Sequence, residues 1–264
     1  MEPLSEQELR SPEAPYPPTR RHPIQDAALG LGIFLLVLGV FFAVQSYVFV
    51  QRIFALEPSL SGQSIDFSIL EDPAFRSIVE AYSMNGDVIA QAGLWSGIAG
   101  LALLLLLVWA WQRGRTGDLL GMKQPTLRAT LTWVGVFVLL GAALEALAWF
   151  FPQFHTEFMA QVMATSTDRL GLVLGVGIVA PVFEEFLLRG LAYGSLRYVM
   201  DTHYAIAITA GLFTIMHLQY EVLVMLLILP IGVVLGYARA RSGSIWVAVL
   251  LHMINNLASI FLPT

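Results

Sequence analysis

The residues in this sequence that could carry out chemistry are few, and they sit in apolar surroundings. The stretch PVFEEFLLRGLAY, residues 181–193, sets Glu184, Glu185 and Arg189 among Phe, Leu, Val and Ala. FTIMH puts Phe213 four residues ahead of His217, and HMINN puts His252 four residues ahead of Asn256. On a helix a spacing of four returns to one face, so Glu185 and Arg189 can pair. Glu184 is turned about 100° from Glu185 and is left to face something else. An ionised group at mid-bilayer costs ~2.5–3.5 kcal/mol on insertion scales, and such groups commonly mark catalysis or an ion or proton path. Glu185 with Arg189 reads first as an ion pair that fixes packing, and Glu184 as a candidate general base.

A lone histidine in an apolar helix is ordinarily a hydrogen-bonded core residue. Here two of the five histidines lie in separate apolar segments, each one helical turn from another motif residue, while His22, His155 and His203 fall in a tail or loops. Glu184, His217, His252 and Asn256 converging from three helices could bind a metal ion, or could activate water without one. The HExxH pattern of a zinc protease is absent. Zinc on Glu184, His217 and His252 remains a geometric option. The chain has no cysteine, which excludes a disulfide, a thiolate metal site and a cysteine nucleophile.

The elements that hold these residues follow from composition. Of 264 residues, 57% are apolar and 12% charged, about half the charge of a typical soluble domain. Long, continuous apolar runs predict an all-α, polytopic transmembrane helical bundle, because a helix satisfies its own backbone hydrogen bonds in lipid. Residues 1–25 are polar and proline-rich and predict a disordered tail. Residues 26–264 form one transmembrane domain, with the motifs in 170–260. The predicted spans are Ala27–Gln51, Val88–Gln112, Ala129–Phe151, Leu170–Leu196, Tyr204–Gln219, Val222–Ala238 and Ser244–Leu262. That makes about seven, six to eight allowing for the short fifth and for Pro230 inside the sixth.

If the spans alternate, Arg10, Arg20, Arg21, Arg113, Arg115, Lys123, Arg128, Arg197, Arg239 and Arg241 share one side, and the other receives Arg52, Arg76 and Arg169. That asymmetry predicts a cytoplasmic N-terminus in a multi-pass membrane protein, at the plasma membrane if the source is bacterial. Trp109, Trp111, Trp133 and Trp149 read as interfacial anchors. Phe67, Ile69, Leu70, Phe75, Ile78 and Val79 predict a short interfacial helix in the loop after the first span. Gly171 with Gly175, Gly190 with Gly194 and Gly232 with Gly236 read as close helix packing. Glu145, isolated in the third span, either hydrogen-bonds inside the bundle or lines a water cavity. With a net charge of -5 and one lysine, the sequence predicts no nucleic-acid partner.

Glu184-Glu185-xxx-Arg189, Phe213-xxx-His217 and His252-xxx-Asn256, in this order and each inside a predicted span, resemble the motifs of the CPBP intramembrane protease family. That family includes CAAX prenyl endopeptidases (Ras-converting enzyme), bacteriocin-processing relatives and abortive-infection proteins. The resemblance covers about residues 170–260. It implies a glutamic-type intramembrane endopeptidase acting on a peptide or protein substrate, lipidated or not, in contact with membrane lipid. By the same resemblance Glu184, helped by His217, deprotonates water, His252 and Asn256 hold the oxyanion, and Glu185 and Arg189 orient Glu184. No cofactor is expected, although a metal-dependent variant using the same residues stays open because the family has also been described that way. A transporter or proton relay, and a family member that has lost catalysis and serves as an immunity scaffold, are the competing readings.

Overall fold

The computed structural model describes residues 22–60, 62, 69 and 71–262. Residues 1–21 of the expected tail lie outside this set, while Pro23–Gln25 already belong to the first helix. The helices in chain order are α1 (Pro23–Leu56), α2 (Pro73–Tyr82), α3 (Gly86–Gln112), α4 (Thr116–Leu120) and α5 (Leu127–Phe150), then α6 (Phe158–Thr165), α7 (Arg169–Leu196), α8 (Thr202–Ile215), α9 (Val222–Ser242) and α10 (Ile245–Phe261). Every predicted span corresponds to one of them. Five, namely α1, α3, α5, α7 and α9, are long and apolar enough to cross a membrane, and α8 and α10 are shorter apolar helices. The protein is an integral membrane helical bundle, and α9 runs unbroken through Pro230.

Local chemistry sets where the helices begin. Asn85, Thr126, Asp168, Asp201 and Ser244 each accept a backbone N–H of the first turn that follows, at the starts of α3, α5, α7, α8 and α10. Pro23 opens α1, where its missing N–H costs nothing, behind a His22 cap.

The central element is α7, the most buried of the spans. It packs against α3, α10 and the first half of α1. Phe183 of α7 stacks on Phe41 of α1 with ring centroids 4.5 Å apart. A Cβ at Gly175 would lie 2.3 Å from the Ala90 carbonyl oxygen, so only glycine permits the approach of α7 to α3 there. Of the other expected small-residue contacts, Gly190 and Gly194 meet Leu120 and Leu119 of α4, and Gly232 and Gly236 meet Ala210 and Ile206 of α8, whereas Gly171 faces the Asp168 carboxylate that caps its own helix. The peripheral span is α5, the least buried, which touches α9 and α10. Glu145 lies on an exposed side of it.

Two expectations change in detail. Trp109 and Trp149 are largely exposed, as anchors should be, but the Trp111 indole N–H donates to the buried Asp26 carboxylate at 3.4 Å. A polar group at the start of α1 therefore draws one member of the belt inward. The segment expected to form an interfacial helix is α2, whose Phe75 is buried against Ile53 and Leu60, with Ile69, Ile78 and Val79 around them. Phe67 and Leu70 fall outside the described residues.

A polar knot joins α3 to α7. The buried Asp87 carboxylate accepts the backbone N–H groups of Thr167 (2.8 Å) and Asp168 (2.9 Å), and the hydroxyls of Ser166 and Thr167. Asp87→Ala strands these donors and is expected to cost about 2–3 kcal/mol. Thermal unfolding in detergent should then show a fall in midpoint of roughly 5–10 °C.

Candidate active site

The site grows out of irregularities in α7. This helix is α-helical at Arg169–Leu172, Ala180–Glu185 and Tyr193–Leu196, and widens into π-helix at Val173–Val179 and Phe186–Ala192. The two glutamates thus sit on a short regular segment between two wide turns, a distortion that recurs at functional positions. Pro181 accounts for part of it. In the first wide segment the Ala180 N–H bonds to the Gly175 carbonyl, five residues back. The next donor in that register would be residue 181, which as proline has no N–H to offer. The Val176 carbonyl is left to another partner, and Asn256 of α10 donates its Nδ2–H to it at 2.9 Å.

Glu185 and Arg189 are fully buried and pair at 2.9 Å, as their spacing predicts. Arg189 also donates to the Gly232 carbonyl of α9 at 2.9 Å and lies over the Phe213 ring, 4.6 Å from its centroid. A guanidinium taken out of water is tolerated when a carboxylate, a carbonyl and an aromatic face surround it. The same Glu185 oxygen accepts from Nδ1 of His252 at 2.9 Å. Glu185 therefore orients His252, and no direct contact to Glu184 passes through it. That differs from the role implied by the resemblance, in which Glu185 and Arg189 orient Glu184.

With Nδ1 held by Glu185, the other ring nitrogen of His252 points at Glu184, Nε2 to Oε2 4.0 Å. The Glu184 side chain is 16% exposed, against 3% for His252, and its Oε2 has no hydrogen-bond partner among the described residues. A gap of 4.0 Å exceeds a direct hydrogen bond and is of the size that one water closes.

His217 lies two residues beyond the end of α8, in the turn to α9, not inside the helix. Its own N–H bonds to the Thr214 carbonyl, so the Phe213 carbonyl lacks a backbone donor, as carbonyls at helix ends do. The His217 ring supplies one: Nδ1–H donates to it at 2.7 Å, leaving Nε2 as the acceptor. Phe213 is the common wall, with ring centroids 4.6 Å from His217 and 5.3 Å from His252. Asn256 is held on both sides, since its Oδ1 also accepts from Asn255 Nδ2 at 3.4 Å. One Nδ2–H remains uncommitted.

Tyr220 was not singled out by any motif. It follows His217 in the turn, stacks on that imidazole at 6.2 Å, and meets Phe158 of α6 edge-on at 5.0 Å. Burial and the nearby Glu184 carboxylate push its phenol up to about 12, so it is a neutral O–H donor at any physiological pH. No periodic signal in the sequence could have marked it. Pro181 is visible in the sequence, but its effect depends on which carbonyl a wide turn leaves free.

Among the described residues no three His, Asp or Glu side chains are grouped closely enough to hold a metal ion, so the Glu184, His217 and His252 zinc set is not assembled.

Comparison with known proteins agrees with the motifs. Residues 165–258 match the family described as type II CAAX prenyl endopeptidase Rce1-like. An Escherichia coli protein named "Uncharacterized 24.3 kDa protein" is 35% identical over 144 residues, 52% of this chain and 63% of the relative, so the chain covers just under two thirds of it. A Bacillus subtilis (strain 168) protein named "Putative membrane peptidase YdiL" is 25% identical over 176 residues, 64% of this chain and 71% of the relative. No solved structure matches the chain.

Two substitutions test the construction. Glu185→Ala leaves Arg189 buried without a carboxylate and should cost about 3–5 kcal/mol, read as loss of folded protein from membranes. Pro181→Ala restores a backbone donor for Val176, in competition with Asn256. Activity should fall about three- to tenfold with little change in thermal midpoint. The region that carries every motif residue, 165–258, is similar to the Rce1-like family.

Proposed function

We propose that this protein is an intramembrane endopeptidase in which Glu184 activates a water molecule for attack on a peptide carbonyl. The observation that carries the reading is the 4.0 Å gap between Glu184 Oε2 and His252 Nε2, beside a carboxylate oxygen that no other described group engages. A water in that gap gives one proton to Glu184 as its oxygen bonds to the carbonyl carbon. The carbonyl oxygen becomes an oxyanion. The uncommitted Nδ2–H of Asn256 suits it, and one such donor is worth ~2.7–4 kcal/mol to the transition state. His252 gives the oxyanion a second contact in its doubly protonated form, with Nδ1–H on Glu185 and Nε2–H on the oxyanion. The proton taken by Glu184 then passes to the leaving nitrogen as the C–N bond breaks, and the carboxylate is regenerated. His217, with Nε2 free to accept, fits the task of holding the water, and the Tyr220 hydroxyl beside it adds a neutral donor.

Glu184→Gln keeps the shape of the side chain and removes the base. Comparison of membrane and secreted peptides from cells carrying native or Glu184→Gln protein should show products that vanish in the variant, while its thermal midpoint is retained. Undiminished cleavage by Glu184→Gln would reject the assignment. Asn256→Ala should lower the rate about 10²–10³-fold. The residues named suffice for the steps above, so activity is expected to persist after chelation. Loss on chelation with recovery on metal addition would replace this mechanism by a metal-dependent one.

A further inference from the structure

Access to the site is not symmetric across the bundle. From Glu185 to Leu196 every residue of α7 is buried. On that side Gly190 and Gly194 are pressed against Leu120 and Leu119, and the Arg239 guanidinium occupies the space where a Cβ of Gly121 would lie. The 121–123 loop is bonded to the start of α10, with Ile245 N–H donating to the Gly121 carbonyl (2.8 Å) and Ser244 Oγ to the Lys123 carbonyl (2.6 Å). Nothing of substrate size passes there without unfolding that end.

The opposite end is different. Val176, Val179 and Ala180 of α7 are partly exposed, as is the Glu184 side chain. Asn256 lies five residues from the end of α10, and His217 and Tyr220 occupy the turn that follows α8. All of these lie toward the end of the bundle where α7 begins and α8 and α10 finish. That end carries Arg52, Arg76 and Arg169, whereas seven described Lys and Arg residues (Arg113, Arg115, Lys123, Arg128, Arg197, Arg239 and Arg241) lie at the other, the asymmetry expected of a cytosolic face.

We infer that the site is entered from the non-cytosolic face, between the start of α7 and the turn at 216–221, and that its substrates are polypeptide segments exposed on that face. This deepens the hydrolase reading and rests on it. Tyr220, which stacks on the His217 ring and meets Phe158 edge-on, stands at this entrance. Segments confined to the cytosol meet only the sealed end.

The absence of native cysteine makes the test direct. Single cysteines are placed at Gln219, exposed in the turn beside the site, and at Gln124, exposed in the opposite loop. A membrane-impermeant maleimide is then applied to right-side-out and inside-out vesicles. Gln219→Cys should label at least tenfold faster in right-side-out vesicles and Gln124→Cys in inside-out ones. Modification of Gln219→Cys from outside should suppress peptide cleavage. The reverse labelling pattern, or the expected pattern with cleavage untouched by the modification, would overturn the inference. Glu184→Gln is assayed in parallel: cleavage that depends on Glu184 but accompanies reversed labelling sinks the direction of access and leaves the hydrolase standing. Correct labelling with no Glu184-dependent cleavage does the opposite.

Discussion

One buried oxygen organises this structure. Oε1 of Glu185 holds both Arg189 and His252, and through Arg189 it reaches the Gly232 carbonyl and the face of Phe213. Three helices, α7, α9 and α10, are joined by a single carboxylate in a place where water cannot substitute for a missing partner. Buried ion pairs often contribute little net stability, because desolvation offsets attraction. What this one contributes is position: an imidazole whose rotation is fixed by one nitrogen presents the other to Glu184.

The second constraint is backbone geometry. In a regular α-helix through residues 173–192 Pro181 would leave the carbonyl of Gly177 without a donor, and that of Val176 would be used internally. The wide turn before Pro181 releases Val176, and Asn256 takes it. His217 uses the same device at the end of α8, where the Phe213 carbonyl, unused by the backbone, fixes its tautomer. Both polar side chains are thus oriented by carbonyls that the helices leave over, so the arrangement requires no further buried charge.

Much of this was legible in the sequence. The seven apolar runs coincide with helices because length and continuity of hydrophobicity suffice to define a span. The pair Glu185 and Arg189 followed from spacing, since a shift of four residues stays on one face even where the second wide turn begins. The partner of Glu185 did not follow, because it depends on how α10 packs against α7, and no periodicity within either helix encodes that. Helix α8 was expected to continue through His217, as the composition stays apolar to Leu218; the chain turns at Met216 instead, and His217 gains its partner by that turn. Trp111 was expected to face the interface because tryptophan at a span end ordinarily does. Its inward turn depends on Asp26, 85 residues away in the chain.

The brevity of α8 has a consequence for solvent. Fourteen residues rise only about 21 Å, whereas the hydrocarbon layer is roughly 30 Å thick. Lipid beside this helix has to thin, or headgroups have to sink to meet the turn that bears His217. Either adjustment would carry hydration down toward the depth of the imidazole, where the proposed reaction draws its water, through mismatch between a short helix and the film around it.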